Sequence, residues 1–132
     1  MSDGIGFVTA HAIADEELKT LISELGGFWN NAPTINQGVL TKGSSSIWCS
    51  EPQPPSLNYS LEDLMELADR LGGTPQSVVS IDIGHGPDSI DLALMLGRCL
   101  VERWGGVLDN VGLPVDPAHK MIWKAGEPDL NY

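Results

Sequence analysis

An α+β fold is predicted for this 132-residue chain: a single-domain sandwich of a mixed β-sheet with three helices, spanning residues 1–132. Three observations predict it. The length is that of one ordinary domain, able to bury roughly two thirds of its extended-chain surface. The hydrophobic content of 42% with 19% charged residues is globular, and no apolar run nears the roughly 20 residues of a membrane span. Helical and strand-like periodicities alternate along the chain, and each helical stretch stops at a Gly-Gly pair: Gly26-Gly27, Gly72-Gly73 and Gly105-Gly106.

A first strand is expected at 4–10, where Ile5, Phe7 and Val8 supply apolar bulk. Asp15 opens a helix in which Leu18, Leu21, Ile22 and Leu25 recur at i, i+3, i+4 and i+7, one face of a 3.6-residue period. Glu16, Glu17, Lys19 and Glu24 fall to solvent. A second strand begins at Phe28, and the Gly/Ser-punctuated run 33–50 reads as a β-hairpin turning near Lys42-Gly43. Residues 51–59, with Pro52, Pro54 and Pro55, form an ordered crossover and no α-helix.

Ser60 and Asp63 have capping-box spacing at the start of a second helix, whose buried face is expected to be Leu61, Leu64, Met65, Ala68 and Leu71. Residues 77–83 alternate as a strand. The third helix, from about Asp88 to Trp104, is apolar over most of its girth, so it belongs at the centre of the core, with Gly97 admitting a close neighbour. Strands at 106–111 and 120–124 complete the order. Residues 4–31 and 78–111 resemble two βαβ-like halves, and the helices are expected on one side of the sheet.

The Gly-Gly pairs follow helices. A phosphate cradle must precede one, so that amides and the positive end of the dipole meet the anion. They therefore read as left-handed caps and reversals, and no cofactor is expected. Eighteen acids against seven Lys and Arg leave a net charge of −11, which excludes direct nucleic-acid binding because phosphate neutralisation needs clustered cations. It suits a basic partner. The opening residues lack the basic leader of a secretion signal, so the expected location is cytoplasmic. Cys49 and Cys99 are too few for a disulfide framework and read as small buried hydrophobes.

The densest polar cluster is Asp82, His85, Asp88 and Asp91, at a strand end, a turn and a helix start. Asp82, His85 and Asp88 could position a metal or a water for a small metal-dependent hydrolase. Yet Asp88 is equally explained as a helix N-cap and Asp91 as a first-turn acid. No G-x-S-x-G elbow and no Cys with a neighbouring base is present. His11 and His119 stand apart as surface or half-buried residues. Trp104 belongs to the core, while Trp29 and Trp48, near the hairpin, suit interface anchoring.

The stretch from Ser80 to Asn110, with Gly86, Pro87 and Asp88, the helix Leu92 to Leu100, then Gly105, Gly106 and Asp109, resembles immunity proteins of bacterial polymorphic and contact-delivered toxins. The resemblance covers about a quarter of the chain and implies a small cytoplasmic α+β protein that binds a cognate toxin domain and occludes its active site, without catalysis of its own. With the acidity of the chain, it puts the toxin-binding surface on Glu17, Glu24, Glu62, Asp63, Glu66 and Asp69 of the first two helices, with Asp82, His85 and Trp48. An adaptor or secretion chaperone is the other binding-protein reading. Oligomeric state stays open at this level.

Overall fold

The computed structural model describes residues 4–33, 35–57, 59–109 and 123–124. It contains the strands β1 (Gly4–Thr9), β2 (Phe28–Ala32), β3 (Ile35–Lys42), β4 (Ser45–Ser50), β5 (Ser77–Ile83), β6 (Val107–Asp109) and β7 (Trp123–Lys124). The helices are α1 (Asp15–Glu24), α2 (Leu61–Leu71) and α3 (Ser89–Trp104), with a 3-10 turn at Pro55–Leu57 in the proline-rich crossover. The element order is the one expected. Of the last two expected strands, 110–111 and 120–122 lie outside the described residues.

The seven strands form one sheet in the order β2-β3-β4-β5-β1-β6-β7. Every pairing is antiparallel, so the expected mixed sheet is corrected. The reason lies in β1, which is inserted between β5 and β6. Both pair antiparallel with it and so run parallel to each other, and α3 joins them as a split crossover. By the same alternation β1 and β2 point the same way, but three strands separate them. The two βαβ-like halves are thus right in local direction and wrong in adjacency, because no sequence period reports which strand a distant segment inserts beside.

Strand alternation sorts the core into two layers. Phe7, Val79, Ile81, Ile47, Leu40 and Leu108 point to one face, where they meet Leu18, Leu21 and Ile22 of α1 and Leu92, Leu96 and Leu100 of α3. The long α3 lies across β1, β3, β4, β5 and β6, the central position expected of its apolar girth. An added Cβ on Gly97 would come within 2.8 Å of Leu108 Cδ1. Gly97 therefore admits a side chain where a backbone was a natural guess. Val8, Val78 and Val107 point to the other face and meet Leu67 of α2, with Tyr59 and Leu71 alongside.

The helices therefore do not share one side: α1 and α3 cover one face of the sheet and α2 the other. A helix above Val8, Val78 and Val107 covers β5, β1 and β6, and among the described residues no helix covers the β2-β3-β4 half of that face. Ser60 caps α2 as expected, its hydroxyl accepting the Asp63 N–H at 3.2 Å.

The glycine pairs divide their work. The first of each pair has positive φ, +85° at Gly26, +71° at Gly72 and +68° at Gly105, and an added Cβ there meets nothing. In the first and third pairs the second glycine lets a strand close in, whereas a Cβ on Gly73 would meet only Ala10 Cβ at an ordinary 3.7 Å. A Cβ on Gly27 would lie 2.4 Å from the Val39 carbonyl oxygen, and one on Gly106 would lie 2.4 Å from that of Val8. The expected left-handed cap is met at Gly72, while Gly105 takes φ +68° with ψ 157°, outside the left-handed helical region, and Gly106 combines a positive φ with close contact.

Candidate functional site

The helix acids singled out from sequence do not form one surface, because α1 and α2 lie on opposite faces of the sheet. On α1 they are engaged within the molecule. Glu17 accepts the Ala14 N–H at 2.9 Å, closing the start of the helix, and meets His11 Nε2 at 3.3 Å. The Ala14 amide first, and then His11, hold the Glu17 carboxyl below the usual range. His11 stacks on Trp104 with ring centroids 6.0 Å apart. It therefore does not stand apart, and Trp104 is half-buried and packs against the main core as expected. Glu24 joins Arg103 of α3 at 2.5 Å. Glu16, Glu17, Thr20, Arg103 and Trp104 line a shallow recess of about 320 Å3.

On α2 the acids face outward. Glu62, Asp63, Glu66 and Asp69 are all exposed. Glu62, Glu66 and Asp69 recur at i, i+4 and i+7, one stripe of the helix. Leu61, Met65 and Ala68 recur at the same spacing one position earlier, so an apolar stripe runs beside the acidic one. Here the expected buried face holds only in part: Leu71 packs against the core and Leu64 and Ala68 are half-buried, but Leu61 is 75% and Met65 66% exposed, and Leu67, absent from that face, is the fully buried residue of α2. The helix has more apolar girth than its short stretch of sheet can cover. Leu57 on the 3-10 turn is also exposed, at 73%. Pro55, Ser56, Leu64, Met65, Ala68, Thr74 and Pro75 line an open groove of about 330 Å3 between that turn and the helix. Exposed apolar side chains set beside acids are the makeup of an interaction surface. The sequence signal for it was present: five apolar positions on one face plus Leu67 exceed a single stripe.

Beneath α2, the Tyr59 hydroxyl donates to Asp109, and the space it fills exists because residue 6 is glycine, where a Cβ would lie 2.6 Å from that oxygen. Burial, the neighbouring Asp109 charge and that hydrogen bond push the Tyr59 hydroxyl up.

Asp82, His85 and Asp88 are brought near β4 but not to one another. Asp82 projects from β5 opposite Trp48, on the face that carries α2. The turn after β5 is strapped down: Gly84 N–H donates to the Ser46 carbonyl at 3.0 Å and Asp88 N–H to the buried Ser45 hydroxyl at 2.8 Å. Asp88 occupies the N-cap position of α3 as expected, but its side chain makes no capping hydrogen bond. Among the described residues no three His, Cys, Asp or Glu side chains are grouped so as to hold a metal ion. The geometry therefore does not assemble the triad that the hydrolase reading needs.

The two tryptophans near the hairpin take opposite faces. Trp29 pairs across strands with Gly38 on the α1 side, its ring under Lys19 Nζ at 5.8 Å and its Nε1 donating to Asn36 Oδ1. Trp48 pairs with Val39 and Asp82 on the other face, half-buried, and packs over Gly84. Trp48 therefore belongs with the open half of the sheet.

Cys49 is buried against Gly38, and burial pushes its thiol up to about 12; Cys99, half-buried on α3, is raised by burial and by Glu102. A thiol-labelling time course at mild alkaline pH should modify Cys99 first and reach Cys49 only on unfolding. Because the folded Cys49 value lies above the ordinary 9.0, its contribution to stability is complete below pH 9. It is lost as pH rises toward 12, so the thermal midpoint should fall over that window and less so in Cys49→Ala. Equal labelling rates for the two thiols in the native protein would contradict this assignment.

The fold and the α2 surface define the chain as a single α+β domain with a three-layer helix–sheet–helix arrangement. Compared with protein-family models, with curated proteins and with solved structures, it matches none. No helix among the described residues is long and apolar enough to cross a membrane.

Proposed function

We propose that this chain is an immunity protein: it binds a cognate bacterial toxin domain in the cytoplasm and occludes its active site, with the outward face of α2 as the binding surface. The observation that carries this reading is the pair of adjoining stripes on α2, Leu61 and Met65 beside Glu62, Glu66 and Asp69. The apolar stripe and the groove beside it supply desolvated anchoring, and the acids draw in a partner with a basic active-site face. The local resemblance over residues 80–110 adds support, although its matching residues shape the core and not this surface. The α1 acids serve the fold, since Glu17 and Glu24 already have intramolecular partners.

Co-expression with the product of the adjacent gene tests the proposal. Rescue of growth and co-purification of a stoichiometric complex are the expected results. Binding without rescue would favour an adaptor or secretion chaperone, and absence of both would end the immunity reading.

A further inference from the structure

We propose that two copies of this chain associate through the open half of the sheet, edge strand β2 against edge strand β2. The charge distribution points there. From Leu25 to Ser50 the sequence contains no acid and one lysine, Lys42, so all eighteen acids lie elsewhere. In a chain of net charge −11, most of the surface repels a second copy; β2, β3 and β4 form the part that does not.

The strand itself contains none of the usual defences against pairing, and Lys19 of α1 lies over Trp29 on the face opposite Phe28. Exposed edge strands are ordinarily blunted by lysine, proline, inward charge or a bulge. Phe28–Ala32 reads Phe-Trp-Asn-Asn-Ala, and its register with β3 runs unbroken from Phe28↔Val39 to Ala32↔Ile35. On the face that α2 leaves uncovered, Phe28 is 58% and Ile35 43% exposed, at opposite ends of the β2–β3 pair with Asn30 and Gln37 between them. Of the acids on α1, the helix packed against β2, Glu16 is paired with Lys19, Glu17 with His11 and Glu24 with Arg103, which leaves Asp15 as the acid of that helix to be accommodated. Glu51 accepts from Asn36 Nδ2 at 2.9 Å, and Asn36 Oδ1 accepts from Trp29 Nε1. Asp82 stands on β5, three strands from the edge, roughly 14 Å at the usual strand spacing and beyond the roughly 8 Å screening length at physiological salt.

A two-fold axis through Asn30, the middle of β2, would continue the antiparallel sheet across both chains and set Phe28 of each copy beside the Ala32–Ile35 end of the other. It would leave α2 of each copy, on the other end of the sheet, free for its partner. The inference is independent of the toxin-binding reading, since it is measured on the purified chain alone.

Sedimentation velocity over a concentration series tests it. Wild type should shift from a one-chain to a two-chain species, and Phe28→Glu or Ile35→Glu should remain one chain with an unchanged melting temperature, because both side chains are exposed. Asn30→Cys, at the centre of β2, should give a reducible two-chain band on mild oxidation. A one-chain mass throughout the series would overturn the proposal. So would a two-chain species that survives both glutamate variants and disappears in Met65→Glu, since that would place the contact on α2.

Discussion

Gly106→Ala is expected to destabilise the domain by about 2–4 kcal/mol and to lower its thermal midpoint by roughly 10 °C, while Gly105→Ala, strained at φ +68° and ψ 157° but free of clashes, costs about 1–2 kcal/mol. The two glycines are neighbours in sequence and differ entirely in surroundings. Gly105 ends α3 at φ +68° with open space where a Cβ would stand, so alanine there meets only backbone strain. At Gly106, φ is +144°, and a Cβ would lie 2.4 Å from the Val8 carbonyl oxygen and 2.9 Å from Phe7 Cε1. Neither neighbour can yield, since Val8 pairs with Val107 in the β1–β6 ladder and Phe7 is completely buried in the core. Relief would require β6 to move off β1. Thermal denaturation of the two single variants checks the contrast, and equal losses would show that the pair acts only through conformation.

Replacing Glu62, Glu66 and Asp69 together by lysine should slow association with the partner by about 10- to 100-fold, leave dissociation nearly unchanged, and flatten the salt dependence of the on-rate. Exposed charges at an interface act on diffusional encounter more than on the docked state. Met65→Glu should behave in the opposite way, raising the off-rate, because it introduces a charge into the apolar stripe that anchors the complex. The control is Glu16→Lys with Glu102→Lys, exposed positions on the α1/α3 side, which should leave the on-rate within a factor of about two or three. Surface-based kinetics at two ionic strengths separates the effects. If the control slows binding as much as the α2 triple does, the partner engages the opposite face, or only the net charge matters.

These predictions rest on features of unequal visibility in the sequence. The α2 acids and their helix were legible, since a capping Ser60, two first-turn acids and a 3.6-residue period are local signals. Which side of that helix is buried was not. Its apolar residues cover more than one stripe, and only the small patch of Val8, Val78 and Val107 beneath it decides that Leu67 goes in while Leu61 and Met65 stay out. Likewise, Glu17 and Glu24 look as available as the α2 acids until His11 and Arg103 are found beside them, the latter 79 residues away from its partner.

Local chemistry was sufficient for the element order, the α+β class, the ends of the helices at glycine and the central place of α3, because capping, periodicity and chain reversal involve residues within a few positions of one another. Tertiary structure alone decided that β1 enters between β5 and β6, that α1 and α2 take opposite faces, and that β2 is left as an uncharged edge. Each of those depends on pairing between segments tens of residues apart, where the energy comes from surfaces meeting and no period along the chain records which ones meet.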